Sequence, residues 1–156
     1  MFVVRQMEKR DAAACADLLN HTIQLGGTTA YEEPYSVDDF DQHYREETAI
    51  CHIVEQDGKI LGFQGLFDIG DGVLSVGSFT DQRTPVRGAG RALIEQSKKV
   101  AKDLGYVSII AKVTSDNSSG LSYYGKVGFV DDHVLKNDHQ RSNGTWVDRV
   151  VKRLVL

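Results

Sequence analysis

The sequence predicts an α/β protein with one mixed, mostly antiparallel sheet of about seven strands and helices on both faces. Three observations lead to this fold class. Strand-like and helix-like segments follow one another in the order β-α-α-β-β-β-α-β-α-β-β. Glycine-containing turns join consecutive strands in the middle of the chain, and a nearly apolar strand follows the longest helix, as in a parallel crossover. The length of 156 residues fits one domain over residues 1–156.

The chain begins with a short predicted strand over residues 2–7, which two helices follow. Asp11 is a suitable N-cap for the first helix, and Gly26 and Gly27 end it. The apolar residues of this helix recur at the spacing of one helix face: Ala12, Cys15, Ala16, Leu19 and Ile23. The second helix is expected to start at Ser36. Its apolar side consists of Val37, Phe40 and Tyr44.

The middle of the chain predicts three consecutive antiparallel strands. They cover residues 49–56, 60–69 and 73–79. Asp57-Gly58 is a two-residue hairpin signal, and Gly70-Asp71-Gly72 makes the next turn.

The second half predicts a long helix and a central strand. The helix follows Gly88-Ala89-Gly90 and ends at Gly105. Its buried face consists of Leu93, Ser97, Val100, Ala101 and Leu104. Residues 107–113 are nearly all apolar, as in a central strand. The remaining expected segments are a short helix over 118–126, strands over 129–135 and 145–156, and a polar loop over 136–144.

Composition and charge exclude several classes of function. With 18 basic and 22 acidic side chains the net charge is −4, so the chain lacks the basic footprint of a nucleic-acid-binding protein. No apolar stretch approaches the ~20 residues of a membrane span, and charge begins at Arg5, so no secretory leader is expected. Cys15 and Cys51 stand in no metal-ligand spacing, so no metal is expected. We expect a cytoplasmic protein without nucleic-acid or membrane partners.

Two short motifs point to a ligand. Arg87-Gly88-Ala89-Gly90-Arg91 lies between a strand and a helix, where glycines let backbone amides approach a phosphate at the helix N-terminus. The dinucleotide pattern GxGxxG fails because Leu93 occupies its third glycine position. Asn117 and Tyr124 are seven residues apart and therefore share a helix face. Taken singly, these features also fit a flexible turn, a helix cap and a core aromatic residue.

Together they carry a family resemblance. The strand at 73–79, the Arg-Gly-x-Gly turn, the long helix, the apolar strand and the run Asn117-x-x-Gly120-x-x-Tyr123-Tyr124-x-Lys126-x-Gly128-Phe129 resemble the GNAT superfamily of N-acetyltransferases. The resemblance covers essentially the whole chain in element order. The family's phosphate-loop pattern, [QR]xxGx[GA], matches at Gly88 and Gly90 but would place Gln or Arg at Pro85. Arg83 or Arg87 is the candidate for the missing cation.

The resemblance implies an enzyme that uses acetyl-CoA as co-substrate and no metal. Acetyl-CoA would bind where the strand at 73–79 diverges from the strand at 107–113. Asn117 would lie near the thiol, and Tyr124 would protonate the departing sulfur as general acid. The backbone amide of Phe79 or Thr80 would stabilise the oxyanion. The implied contacts are Ser78, Phe79 and Thr80 for the pantetheine arm, and Arg87, Gly88, Ala89, Gly90 and Arg91 for the pyrophosphate.

The general base stays open. Many relatives use a glutamate on the fourth strand, but residues 73–79 contain no carboxylate. Asp71, Glu33, His21 and a water relay are the candidates.

The acceptor is expected to be a small, amino-acid-like amine. Residues 26–34 look like the acceptor-wall segment of phosphinothricin-type acetyltransferases, which also acetylate methionine sulfoximine, and Thr29, Tyr31 and Glu33 are the residues expected to bind substrate. A polyamine or protein acceptor and a non-catalytic acyl-CoA-binding module remain alternatives. The two late strands could form the edge of a homodimer.

Overall fold

The computed structural model describes all 156 residues and contains one seven-stranded sheet of order β1-β2-β3-β4-β5-β7-β6. The strands are β1 (Val3–Gln6), β2 (Ile50–Gln56), β3 (Lys59–Asp68), β4 (Val73–Thr80), β5 (Ser108–Thr114), β6 (Val130–Gln140) and β7 (Trp146–Val155). Only the pairing of β4 with β5 is parallel; the other pairs are antiparallel. The predicted fold class is confirmed.

Helices cover both faces of the sheet. They are α1 (Ala12–Leu25), which a 3₁₀ turn over Lys9–Asp11 precedes, α2 (Val37–Phe40), α3 (Ala89–Asp103) and α4 (Ser118–Lys126). A π-helical segment, Asp41–Glu46, continues α2. Phe40 and Tyr44 are buried as expected, whereas Val37, in the first turn, is exposed. None of these helices is both long and apolar enough to cross a membrane.

The polar loop expected at 136–144 is mostly strand, which corrects the sequence prediction. β6 extends to Gln140, and its pairing with β7 shifts register between Leu135 and His139. Within this irregular stretch Asn137 has a φ of 47°, and its amide donates to Asp148 Oδ1 at 2.8 Å. An edge strand exposed on both faces needs no alternation of apolar and polar residues, so the sequence carried no strand pattern here.

Two paired glycines let α2 and its π-helical continuation pack closely on the sheet. Gly65 of β3 lies opposite Gly77 of β4. A Cβ on Gly65 would lie 2.7 Å from Tyr44 Cδ1, and one on Gly77 would lie 2.9 Å from Tyr44 Oη. The Tyr44 ring therefore lies flat on the sheet where β3 and β4 carry no side chains, fully buried against Phe40 and Phe63.

β4 and β5 diverge after a short parallel pairing. Only Val73 to Ser75 pair with β5, opposite Ser108 to Ile110. On the other side, Ile69 N donates to Val73 O and Asp81 N donates to Leu61 O at the two ends of the β3–β4 ladder. Because hydrogen-bonded pairs alternate in an antiparallel ladder, the odd-numbered residues of β4 bond to β3. The backbone groups of Val76, Ser78 and Thr80 therefore face the open side.

Candidate active site

The divergence of β4 and β5 opens a cleft that consists of two adjoining cavities. The first, of about 380 Å³, lies between the two strands and is closed by residues 28–31, the π-helical segment and α4. The second, of about 300 Å³, shares Ser78, Asn117 and Tyr123 with it and reaches Pro85, Val86 and Gly90. The cleft thus connects the start of α3 with a chamber lined by aromatic side chains.

The start of α3 presents free backbone amides. Gly88 is the N-cap, with a φ of 92°, and the first helical hydrogen bond runs from Ala92 N to Gly88 O. The Ala89 amide donates to Val86 O, whereas the amides of Arg87, Gly88, Gly90 and Arg91 have no backbone acceptor in the chain. Free amides at a helix N-terminus attract anions, because the helix dipole adds to their partial charge.

Gly90 brings α3 and α4 together. A Cβ at Gly90 would lie 2.8 Å from Tyr123 Cε1, so only glycine admits the ring at this distance. The Tyr123 hydroxyl donates to Gly90 O at 2.8 Å, and Gln64 Nε2 lies 3.5 Å from the same hydroxyl and 3.0 Å from Ser78 Oγ. These contacts connect the free edge of β4 with the phosphate-loop motif.

The two candidates for the missing cation differ in their contacts. The Arg83 guanidinium pairs with Asp81 at 2.9 Å and with Asp17 at 2.8 Å. Its hydrogen bonds lower the pKa of the Asp81 carboxyl. Arg87 is exposed and has no ion pair in the structure, so its charge is available to a ligand. Arg91 makes one contact, a 3.3 Å hydrogen bond to Lys126 O.

The backbone amides of Phe79 and Thr80, the two candidates for the oxyanion site, point to opposite sides of β4. Phe79 is an odd-numbered residue of β4, so its N–H bonds to β3 opposite Phe63. The N–H groups of Ser78 and Thr80 face the cleft. Phe79 contributes its ring instead, which lines the larger cavity and lies 6.1 Å from the Tyr31 ring.

Asn117 is held from both ends of its side-chain amide. Oδ1 accepts from Gly120 N at 2.9 Å and so caps α4, while Nδ2 donates to Thr28 O at 2.8 Å. Asn117 lines both cavities, and it fixes residues 26–34 against α4.

Tyr124 directs a phenol into the larger cavity. Its ring is buried against Tyr123 and Phe129, with ring centroids 4.9 and 5.1 Å apart. Its hydroxyl makes no hydrogen bond within the chain. Burial raises the pKa of this phenol far above its ordinary value, so it keeps its proton at neutral pH.

The residues expected to bind substrate separate into two groups. Thr29 and Tyr31 line the larger cavity, while Glu33 is exposed and lines neither cavity.

Glu32, the neighbour of Glu33, accepts hydrogen bonds from Ser142 N at 2.9 Å, His139 Nε2 at 3.1 Å and the Arg141 guanidinium at 2.9 Å. Burial opposes ionisation of Glu32, but these hydrogen bonds lower its pKa to about 2.

Arg141 is a structural residue that the sequence did not reveal. Its guanidinium contacts Thr29 O and Thr114 Oγ1 and forms an ion pair with Asp116 at 2.6 Å. Together with Glu32, it attaches residues 26–34 to the end of β5 and to the β6–β7 turn. It stands in a polar stretch without any pattern, so nothing in the sequence distinguishes it.

None of the three side chains considered as general base lines the cleft. Asp71 lies in the turn before β4, at the end of that strand away from Ser78. His21 lies on α1 in a separate cavity of about 570 Å³, together with Asp17 and Arg83. Glu33 is exposed, as described above.

The cavity between β4 and β5 instead contains three basic side chains that the sequence reasoning missed: His43, Lys112 and Arg149. His43 directly precedes the buried Tyr44, and a histidine beside the apolar face of a helix is the signal that could have found it.

A family model described as the acetyltransferase (GNAT) family matches residues 17–129, more than half of the chain. The chain belongs to the GNAT family of acetyltransferases. It is an enzyme of the acyltransferase class, and the family resemblance seen in the sequence is confirmed. No curated protein sequence matches it significantly.

Several solved GNAT structures share the fold. A phosphinothricin acetyltransferase from Sinorhizobium meliloti, in complex with AcCoA, superposes with a TM-score of 0.88 at 16% identity, covering 99% of this chain and 88% of its own. A ribosomal-protein-alanine N-acetyltransferase from Brucella melitensis has a TM-score of 0.87 at 16% identity, covering 99% of both chains. At these identities the likeness shows the GNAT fold alone, so the phosphinothricin-type subgroup stays a prediction.

Proposed function

We propose that this GNAT enzyme transfers the acetyl group of acetyl-CoA to the amino group of a small, amino-acid-like molecule. The observation that carries the proposal is the continuity of the cleft. One end presents the free amides at the start of α3, and the other is an aromatic chamber. The phenol of Tyr124 lines the aromatic chamber.

The cleft fits the successive parts of acetyl-CoA. The amides of Arg87, Gly88, Gly90 and Arg91 would hold the pyrophosphate, with the free charge of Arg87 beside them. The open edge of β4 at Ser78 and Thr80 would pair with the amide groups of the pantetheine arm. When bound there, acetyl-CoA supplies an acetyl group activated as a thioester.

The chain's own residues supply a proton donor and an oxyanion site. The Tyr124 hydroxyl has no internal partner and remains protonated, so it can donate its proton to the departing sulfur. The N–H groups of Ser78 and Thr80 face the cleft, and a fixed amide that points at the carbonyl oxygen would stabilise negative charge there.

The chamber favours an amino-acid-like acceptor. The rings of Tyr31, Phe67 and Phe79 line it and can hold an apolar side chain or an ammonium group. Lys112, exposed and without an ion pair, and Arg149, paired with Asp138 at 2.7 Å, also line it and would attract a carboxylate. The unpaired charge of Lys112 disfavours a polyamine.

A thiol-release assay with acetyl-CoA tests the proposal. The acceptors to compare are amino acids, methionine sulfoximine, polyamines, aminoglycosides and short peptides, with acetyl-CoA binding measured separately by calorimetry. We expect turnover with an amino acid or a sulfoximine. Preferred turnover of a polyamine or a peptide would contradict the acceptor class. Tight acetyl-CoA binding without turnover of any amine would support a non-catalytic acyl-CoA-binding module.

A further inference from the structure

A chain of hydrogen-bonding groups leads from the aromatic chamber to solvent. His43 Nδ1 lies 3.4 Å from Glu47 Oε1, and His43 Nε2 lies 3.2 Å from the Tyr31 hydroxyl. The Tyr31 hydroxyl in turn lies 2.7 Å from the Tyr44 hydroxyl. Tyr31, His43 and Tyr44 all line the larger cavity, whereas Glu47 is exposed.

The inner end of this chain lies against β4. The Tyr44 hydroxyl would be 2.9 Å from a Cβ on Gly77, so it stands directly over the backbone of that residue. Gly77 directly precedes Ser78, whose N–H faces the cleft. The hydrogen-bonded groups of His43, Tyr31 and Tyr44 therefore extend as far as Gly77 of β4, a strand that has no carboxylate of its own.

The surroundings of His43 suit a base. On its own helical segment it faces Glu47 and Tyr44; the preceding segment presents Tyr31 and the stacked ring of Tyr35, 5.8 Å away. β3 presents only the uncharged ring of Phe67. Glu47 is thus the acid that would stabilise an imidazolium. Burial raises the pKa of the Tyr31 and Tyr44 phenols, so they stay neutral and can pass a proton along.

We propose that His43 is the general base of the acetyl transfer, that the Tyr31 hydroxyl conducts the acceptor's proton to it, and that Glu47 is its positioning residue. With the imidazole proton on Nδ1, His43 donates to Glu47 and accepts at Nε2 from Tyr31. The inference rests on the proposed function, because it requires an amine in the chamber. It supplies the base for which Asp71, Glu33 and His21 are out of position.

The proton balance is complete without a further reactant. An acceptor ammonium group gives one proton to the Tyr31 oxygen while Tyr31 gives its own to His43 Nε2, and the imidazolium later releases it to solvent. The neutral nitrogen then attacks the acetyl carbon; the C–N bond forms and the C–S bond breaks. The sulfur takes the proton of Tyr124, and the second nitrogen proton restores that phenol. The net products are amide, free thiol and one released proton.

His43→Gln tests the relay, with His21→Gln as the matched control. For an acceptor found in the thiol-release assay, kcat/KM would be measured from pH 6 to 10. We expect the His43 variant to lose about 10²-fold at pH 7, and the loss to shrink as the pH approaches the amine's own pKa, near ~10. His21→Gln should match the wild type throughout. A purely structural defect would not shrink with pH.

Two further variants keep the test decisive if His43→Gln folds poorly. Tyr31→Phe keeps the ring but removes the conducting hydroxyl, so its loss should show the same pH dependence. Added imidazole should restore part of the activity of His43→Ala. Wild-type protein without turnover would contradict the proposed function. Active wild type together with pH profiles unchanged in both His43→Gln and Tyr31→Phe would overturn the relay.

Discussion

The hydroxyl groups of the adjacent Tyr123 and Tyr124 differ in their hydrogen bonding. Replacing each tyrosine by phenylalanine therefore separates their roles. The Tyr124 hydroxyl has no partner in the chain, whereas the Tyr123 hydroxyl donates to Gly90 O at 2.8 Å. Tyr124→Phe should lower kcat about 10²-fold and leave acetyl-CoA affinity nearly unchanged, because only a proton donor is lost. Steady-state kinetics and calorimetry check both values.

Tyr123→Phe is the comparison for that prediction. It removes a hydrogen bond that holds the start of α3, and one net hydrogen bond of about 1 kcal/mol corresponds to about a 5-fold rise in KM for acetyl-CoA. If Tyr124→Phe keeps the wild-type kcat, Tyr124 is not the acid. If it changes KM as Tyr123→Phe does, its role is in binding.

At the scale of elements, the packing of α3 on α4 depends on Gly90. Gly90→Ala would place a methyl group 2.8 Å from Tyr123 Cε1, and the helix start must then move. Because the free amides move with it, we expect KM for acetyl-CoA to rise about 10-fold, as overpacking of about 1–3 kcal/mol allows. The measurement is the acetyl-CoA dependence of thiol release.

Gly125→Ala in α4 is the matched control for the same substitution. No atom lies within 4 Å of a Cβ at Gly125 and its φ is not positive, so alanine should stabilise the helix by about 0.5–1 kcal/mol without changing KM. A KM equal to the wild type's in Gly90→Ala would mean that the position of these amides does not govern cofactor binding.

The same elements show what could be predicted from the sequence. The three consecutive strands β2 to β4, the glycine turns between them and the apolar run of β5 each carry a local sequence signal, and all are confirmed. The prediction for β6 was wrong from residue 136 onward, because an exposed edge strand has no buried face to impose a pattern. The π-helical continuation of α2 likewise has no local signal.

The site was predictable only where contacts are local. Gly88, Asn117 and Tyr124 lie in short motifs at the ends of helices, and the structure brings these motifs together at the cleft. Arg141 and Glu32 meet across 109 positions of sequence, and His43 meets Tyr31 through the fold of a loop. Such long-range pairs depend on the tertiary arrangement, which no spacing in one sequence encodes.

Across the whole molecule, ionised carboxylates pair with arginines, three of them within six residues of the acid and one, Arg141, 25 residues from it. Arg5 with Asp11, Arg45 with Asp41, Arg83 with Asp81 and Arg141 with Asp116 are ion pairs in which the arginine lowers the pKa of the acid. A group whose pKa is lower in the folded state stabilises the fold above its unfolded pKa, and that contribution is lost as the pH falls. Acid should therefore weaken these ion pairs together.

The pH dependence of the free energy of unfolding should show two falls, one from His52 and a steeper one from Glu32. Burial lowers the pKa of His52, so the free energy of unfolding should begin to fall below its ordinary pKa of 6.5. The Glu32 contribution is present above its ordinary pKa of 4.5 and is lost toward its folded pKa of about 2, so the steeper fall should lie in that window. Urea titrations between pH 8 and 2.5 measure both.

Glu32→Gln should separate this contribution from the rest. It keeps the side-chain shape but removes the charge that His139 and Arg141 hold, so stability at pH 7 should drop by about 1–3 kcal/mol and the slope below pH 4.5 should flatten. Glu33→Gln changes the adjacent, exposed carboxylate and should leave both values at the wild-type level. Equal slopes in the two variants would show that residues 26–34 are not held by the Glu32 charge. In that case the hydrogen bonds that Asn117 and Arg141 donate to the carbonyls of Thr28 and Thr29 would hold residues 26–34 without the Glu32 charge.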